Sequence, residues 1–188
     1  MVEPWVEAGH KCTVVDIKHQ RRGPHRGIYF WNDSILTTSF GRNFDMVFAF
    51  PPCAHLSGSG ARWWAGKGEA ALGEGLALFD RCIEIAEATG APYMVENPVG
   101  RIPRYRRKWD FIFNPCDYGG YLEPPGDMYT KKTCLWTGGG FIMPEPKPVL
   151  PLEGSAIHRL PPSEDRARLR SLTPRGFAQA VFEANVKT

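Results

Sequence analysis

Two stretches of this chain end in groups that can do chemistry. Asp45-Met46-Val47-Phe48-Ala49-Phe50-Pro51-Pro52-Cys53 is an apolar run closed by two prolines and a thiol. Pro92-Tyr93-Met94-Val95-Glu96-Asn97-Pro98 is a second apolar run, closed by a carboxylate, an amide and a proline. A thiolate attacks electrophilic carbon and a carboxyl group holds or delivers a proton, so the pair suits covalent catalysis with acid assistance. Taken alone, Cys53 reads as a buried, inert cysteine. The prolines before it and Glu96-Asn97 at a matching strand exit turn the reading toward a nucleophile. Gly58, Ser59 and Gly60 follow, small enough to let a substrate approach the backbone, and Ser57, Gly58 and Arg62 are the candidate substrate contacts there.

These groups need elements to position them. Residues 46–50 carry no charge and are nearly all strand formers, which predicts a fully buried strand. Proline lacks the N–H that a ladder needs, so the strand ends at Pro51. Cys53 then falls just past a carboxyl end, where ligands gather in open α/β sheets. Between the two runs, Leu72, Leu76, Phe79, Ile83 and Ala86 recur at helical spacing over 69–89, and Gly90 closes the helix. Strand, crossover helix and strand make a βαβ unit, which predicts parallel, right-handed pairing. Cys12–Ile17 reads as another strand, expected beside these two, with Asp16 near its exit. Asp16 there is either a ribose-hydroxyl acceptor or an ordinary loop-start aspartate. Phe111–Phe113 and Thr133–Trp136 read as further strands, and residues 2–8 as a short helix. Thr173 is expected to N-cap a last helix with Pro174 at its first position and Phe177 and Val181 buried. Residues 138–162 are rich in glycine and proline and read as a wrapped loop.

Composition bounds the rest. With 188 residues, 43% hydrophobic and 23% charged, the chain has enough apolar residues for a sizeable core and reads as one domain over 1–188. A net charge of +3 permits nucleic-acid binding without arguing for it. The basic stretches 18–27 and 101–108 are either solvated loops or phosphate contacts. Trp63-Trp64 reads as core and rim packing ahead of a base-stacking platform. Five irregularly spaced cysteines with no C-x-x-C give neither a zinc site nor a disulfide framework, so no metal is expected. No signal-peptide pattern or membrane-spanning run is evident, and a reducing cytoplasm is the expected compartment.

Pro51-Pro52-Cys53 resembles the nucleophile motif of the cytosine-C5 DNA methyltransferases, in particular short phage- and prophage-type members. Glu96-Asn97-Pro98 resembles their glutamate motif, with proline in place of the usual valine. Asp117-Tyr118-Gly119, Thr130-Lys131-Lys132-Thr133 and Cys134-Leu135-Trp136-Thr137-Gly138 resemble the later stretch that ends in Gln-x-Arg-x-Arg and a strand, here with lysines and threonines in that pattern's place. Asp16 and Asp33 resemble the acids that hold the cofactor's ribose and adenine. The likeness runs from about Trp5 to about Gly138, and the two leading motifs stand in order roughly forty residues apart across a βαβ unit. The family's opening strand and Phe-x-Gly-x-Gly turn have no counterpart here. Residues 139–172 form a loop-rich insertion where full-size members carry a target-recognition domain.

The resemblance implies a Rossmann-like α/β fold with a mostly parallel sheet and flanking helices. It implies methyl transfer from S-adenosylmethionine to C5 of cytosine in DNA, with Cys53 attacking C6, Glu96 acting at N3 and Asn97 holding the loop or the base edge. Asp16, Asp33, Phe50 and Pro51 are the expected cofactor contacts, and weak or no cofactor binding is expected of the chain as given. Lys131 or Lys132 is expected to stabilise the thiolate, or else to form a surface pair. A base inside a duplex cannot reach such a thiol, so a DNA substrate must be single-stranded or present a flipped base. The competing readings are a cofactor-deficient relative that binds nucleic acid and an enzyme that modifies a pyrimidine nucleotide.

Overall fold

The computed structural model describes residues 1–41, 43–155, 161, 163 and 165–186. Among these, seven strands form two mixed sheets, so the chain is α/β. One sheet, in the order β1-β3-β2, joins β1 (Cys12–Val15), β3 (Ile28–Trp31) and β2 (Gly23–His25). The other, in the order β4-β5-β7-β6, joins β4 (Val47–Ala49), β5 (Tyr93–Pro98), β7 (Thr133–Gly138) and β6 (Phe111–Phe113). The chain divides into two compact units, one of Lys11–Ile112 with Thr133–Phe141 and the other of Met1–His10, Phe113–Lys132 and Ile142–Thr188.

The first unit holds the βαβ pattern. β4 and β5 are parallel, with Val47 level with Tyr93 and Ala49 level with Val95. The crossover helix α2 spans Trp64–Thr89, five residues longer at its start than its apolar spacing indicates, and bends at Gly68, where φ is 73°. Gly90 closes it in the left-handed conformation. Leu76, Phe79, Cys82 and Ala86 are buried from α2, and they join Leu56, Tyr93, Val95, Ile102, Cys134 and Trp136 in one core. Phe79 meets Trp136 edge to face at 4.9 Å, and the Trp136 indole N–H donates to the Arg107 carbonyl at 3.0 Å.

Three expectations are corrected here. The 46–50 strand is half-buried, because β4 has a single neighbour and stands at the edge of its sheet among the described residues. β1 pairs in parallel with β3, Val15 level with Trp31, and shares no sheet with β4 or β5. β7 runs antiparallel to β5, so the sheet is mixed where the resemblance implied a mostly parallel one. The basic 18–27 stretch also contains structure that its composition hides. A tight turn at Arg26-Gly27, both at positive φ, joins β2 and β3 into a hairpin.

In the second unit, α1 (Glu3–Glu7) packs by Trp5 against Phe182 of α4 (Arg175–Asn185), ring centroids 5.1 Å apart. Phe177 stacks on Phe113 at 3.9 Å and meets Tyr118 edge to face at 5.1 Å. The start of α4 departs from expectation. Pro174 is the N-cap, not the first helical residue, and the Asp127 carboxylate accepts the Gly176 N–H at 2.7 Å. A distant carboxylate thereby does the work expected of Thr173. A short helix, α3, covers Arg166–Ser171. Of the 139–172 stretch, residues 156–160, 162 and 164 lie outside the described residues. Residues 141–150 form no helix or strand.

Phe79→Ala should lower stability by about 3–5 kcal/mol, the cost of emptying a buried aromatic position. Urea unfolding checks this, and a loss under about 1 kcal/mol would show that the core is not built on the Phe79–Trp136 contact.

Candidate active site

β4 ends at Ala49 because prolines follow, and the chain leaves the sheet at Pro51. Cys53 lies on the loop beyond, exposed to solvent. Its parallel neighbour β5 ends at Pro98, with Glu96 half-buried and Asn97 only 1% exposed. Cys53 thus follows the end of β4, while Glu96 and Asn97 lie in the last residues of β5, just beyond its parallel pairing with β4.

The two exits are laced together. The Asn97 side-chain amide donates to the Pro51 carbonyl at 3.0 Å. Gly58 N–H donates to the Val99 carbonyl at 2.8 Å, and Arg101 N–H to the Leu56 carbonyl at 2.9 Å. Leu56 and Ser57 N–H groups both turn back to the Cys53 carbonyl, at 3.0 and 2.9 Å. This lacing demands a bare backbone at Gly100, where an added Cβ would sit 2.0 Å from the Leu56 carbonyl oxygen. Two cations finish the grip: Lys67 Nζ donates to the Ala54 carbonyl at 2.7 Å and Arg101 Nε to the His55 carbonyl at 3.0 Å.

The remaining candidates are distributed around the two sheets. Ser57 is buried, and its hydroxyl lies 2.9 Å from that of Ser59. Gly58 opens the 3-10 turn Gly58–Trp63, in which exposed Arg62 lies 5.1 Å from the centroid of the Trp63 ring. Trp63 is 59% exposed, whereas Trp64 is half-buried beneath the Arg101 guanidinium at 4.7 Å. Phe50 is 42% exposed and Pro51 is buried. Asp16 and Asp33 both follow the carboxyl ends of the parallel pair β1 and β3. Asp16 accepts the Lys18 N–H and Asp33 the Ser34 N–H, each at 2.8 Å. Arg81 of α2 holds the segment after Asp33 by donating to the Ile35 and Thr38 carbonyls, at 3.0 and 2.9 Å. In the other unit, Lys131 and Lys132 line a pocket with Asn114, Thr130 and Ser155.

The basic stretch after Asn97 is largely committed to the protein itself. Arg106 makes a two-pronged pair with Asp80, both bonds 2.6 Å, and Arg107 pairs with Asp110 at 2.8 Å. Arg101 is buried. Sequence reasoning grouped Arg101 with its neighbours as loop or phosphate contact and did not single out Lys67 or Gly100. The pointer was local: a glycine-arginine step just past a strand end that faces a proline-cysteine loop. Among the described residues no cluster of three or more His, Cys, Asp or Glu could hold a metal, and no helix is long and apolar enough to cross a membrane.

Cysteine environments differ sharply. Burial pushes the Cys82 thiol up to about 12. Burial and then the Glu96 carboxylate push Cys134 up to about 12. Burial also raises Cys12 and Cys116. Brief treatment of the folded chain with a thiol reagent at neutral pH should therefore label Cys53 first, read by peptide mass spectrometry. Equal labelling of Cys82 or Cys134 would contradict the burial described. Gly100→Ala should force the two loops apart and destabilise the chain by about 1–3 kcal/mol, the range for overpacking a tight contact. An unchanged unfolding midpoint would show that the loops yield freely.

No family model matches the chain, and no solved structure matches it. It is similar to a curated protein of Frog virus 3 (isolate Goorha) described as a probable DNA (cytosine-5)-methyltransferase, with 33% identity over 112 residues, covering 54% of this chain and 50% of that protein. The chain therefore spans about half the length of that relative.

Proposed function

We propose that this chain is a methyltransferase-like domain that methylates C5 of cytosine in DNA through a covalent adduct on Cys53. The observation that carries this reading is the pair of strand exits. An exposed cysteine follows β4, a half-buried glutamate lies near the carboxyl end of its parallel neighbour β5, and Asn97 beside it ties β5 to the cysteine loop through the Pro51 carbonyl. Similarity to the probable viral DNA (cytosine-5)-methyltransferase supports the same class.

The chemistry asks for these residue types. C5 of cytosine is a weak nucleophile. The Cys53 thiolate adds to C6, and Glu96 provides the proton or hydrogen bond at N3 that accepts the displaced electron density. C5 then carries enamine character and takes up the methyl group. Loss of the C5 proton to a base and expulsion of the thiolate restore the ring and free Cys53. Ser57, Gly58 and Arg62 lie on the loop and turn that follow Cys53 and are the substrate contacts of this reading.

The acceptor groups that follow β1 and β3 suit the nucleoside end of S-adenosylmethionine. Two carboxylates, each oriented by a backbone N–H, follow neighbouring parallel strands and can accept ribose hydroxyls, while exposed Phe50 offers an apolar surface. Asp16, Asp33, Phe50 and Pro51 would hold the cofactor, which supplies the methyl group when bound.

Cys53→Ser should abolish turnover and the trapped adduct with 5-fluorocytosine in single-stranded DNA while leaving the unfolding midpoint unchanged. Glu96→Gln should still bind DNA but form the adduct roughly 10²–10⁴-fold more slowly. An adduct that maps to another cysteine would sink the assignment. By calorimetry, Asp16→Ala should weaken the binding of S-adenosylmethionine. Tight binding indifferent to Asp16 would place the cofactor elsewhere.

A further inference from the structure

The carbonyls of the two residues directly after Cys53 are each held by a cation from a different element. Lys67, in the first turn of α2, takes Ala54, and Arg101, from the loop after β5, takes His55. The two cations sit in different surroundings. Lys67 is exposed, whereas Arg101 is 8% exposed, and its Nη2 is buried with no hydrogen-bond partner. None of the four ion pairs recorded for the described residues includes Arg101. A buried guanidinium that keeps only a carbonyl and an aromatic face as company is costly, and a nearby anion offsets that cost.

We propose that Arg101 and Lys67 are positioning residues that stabilise Cys53 as its thiolate, and that this thiolate is the counter-charge of the Arg101 guanidinium. The inference rests on the reading of Cys53 as a nucleophile, yet its test needs no methyl transfer. Backbone dimensions keep a cation bound to the carbonyl one or two residues away within roughly 10 Å of the Cys53 backbone. A positive charge at that range favours the charged form of a thiol, whose proton passes to solvent. The titratable and charged groups carried by the Cys53 loop and by the elements bonded to it include His55 on that loop, Arg62 in the following turn, Lys67 on α2, and Glu96 and Arg101 from β5 and its exit. Glu96 opposes the effect, whereas Arg101 and Lys67 are both anchored to the cysteine's own loop.

The two contributions separate by screening. At physiological ionic strength the Debye length is about 8 Å, and at 1 M salt about 3 Å, which silences an exposed lysine but leaves a buried guanidinium largely effective.

The experiment is the pH dependence of Cys53 alkylation by iodoacetamide on the full chain, between about pH 5 and pH 10, followed on the Cys53 peptide. Arg101→Gln should raise the midpoint by about half a pH unit or more, slowing the reaction at neutral pH about threefold or more, since one unit is tenfold. Arg101→Lys should keep the wild-type midpoint. Lys67→Gln should raise it less, and that difference should vanish in 1 M salt while the Arg101→Gln difference persists. A purely structural role would change the plateau rate and leave the midpoint in place, and a folded Arg101→Gln chain with the wild-type midpoint overturns the proposal. Should Arg101→Gln fail to fold, the surface variant Lys67→Gln decides: an unshifted midpoint at low salt overturns it as well. A chain that shows these shifts but never forms the fluorocytosine adduct would defeat the methyltransferase reading alone.

Discussion

The close approach of two loops governs what this chain can do. Gly100 lets the backbone after β5 lie against the Leu56 carbonyl, and the Asn97 amide reaches the Pro51 carbonyl from the same side. A buried carbonyl left without a donor costs about 1–3 kcal/mol, so each of these bonds resists the loop's departure. Leu56 is both clamp and core: its carbonyl accepts from Arg101 and its side chain lies buried with Leu76, Phe79 and Trp136. The loop that carries Cys53 is thereby fastened to the hydrophobic centre of its unit, and exposure of Cys53 does not imply looseness of its backbone.

A division of labour among the polar side chains follows. Asn97, Lys67 and Arg101 spend donors on backbone carbonyls, not on one another. Arg106 and Arg107 satisfy Asp80 and Asp110, and Asp110 in turn accepts from the Thr137 N–H at 2.7 Å, which binds the segment before β6 to β7. Exposed pairs such as these contribute little stability each, but they withdraw two arginines from any role at the surface. A basic stretch in a sequence overstates the cationic surface that the folded chain presents.

Much of the site's scaffold was legible beforehand, and the reasons differ by element. The apolar runs halted by Pro51 and Pro98 marked β4 and β5, because a ladder cannot continue through proline. Leu72, Leu76, Phe79, Ile83 and Ala86 marked α2 because a buried helical face must recur at that period. The burial of β4 was not legible, since it depends on how many strands flank it, and an apolar run looks the same at an edge as at the centre. Nor was the β2–β3 hairpin, whose turn hides among charges. Thr173 offered good local cap chemistry, yet Asp127, far away in sequence, holds the helix start. Which arginine is buried was equally invisible, because the five basic residues within 101–108 differ only in what the fold sets beside them. The placement of the candidate residues on strand exits could be read from sequence, but the clamp that orients them could not.

The distribution of thiols has a redox consequence. Three of five cysteines are buried and a fourth is half-buried, leaving Cys53 as the one in open contact with solvent. Oxidants and neighbouring chains meet that sulfur before any other, and no second exposed cysteine stands ready to resolve a sulfenic acid into an internal disulfide. Oxidation would then end either in over-oxidised monomers or in dimers linked Cys53 to Cys53. Its exposure makes the lifetime of this thiol a function of the reducing power around it.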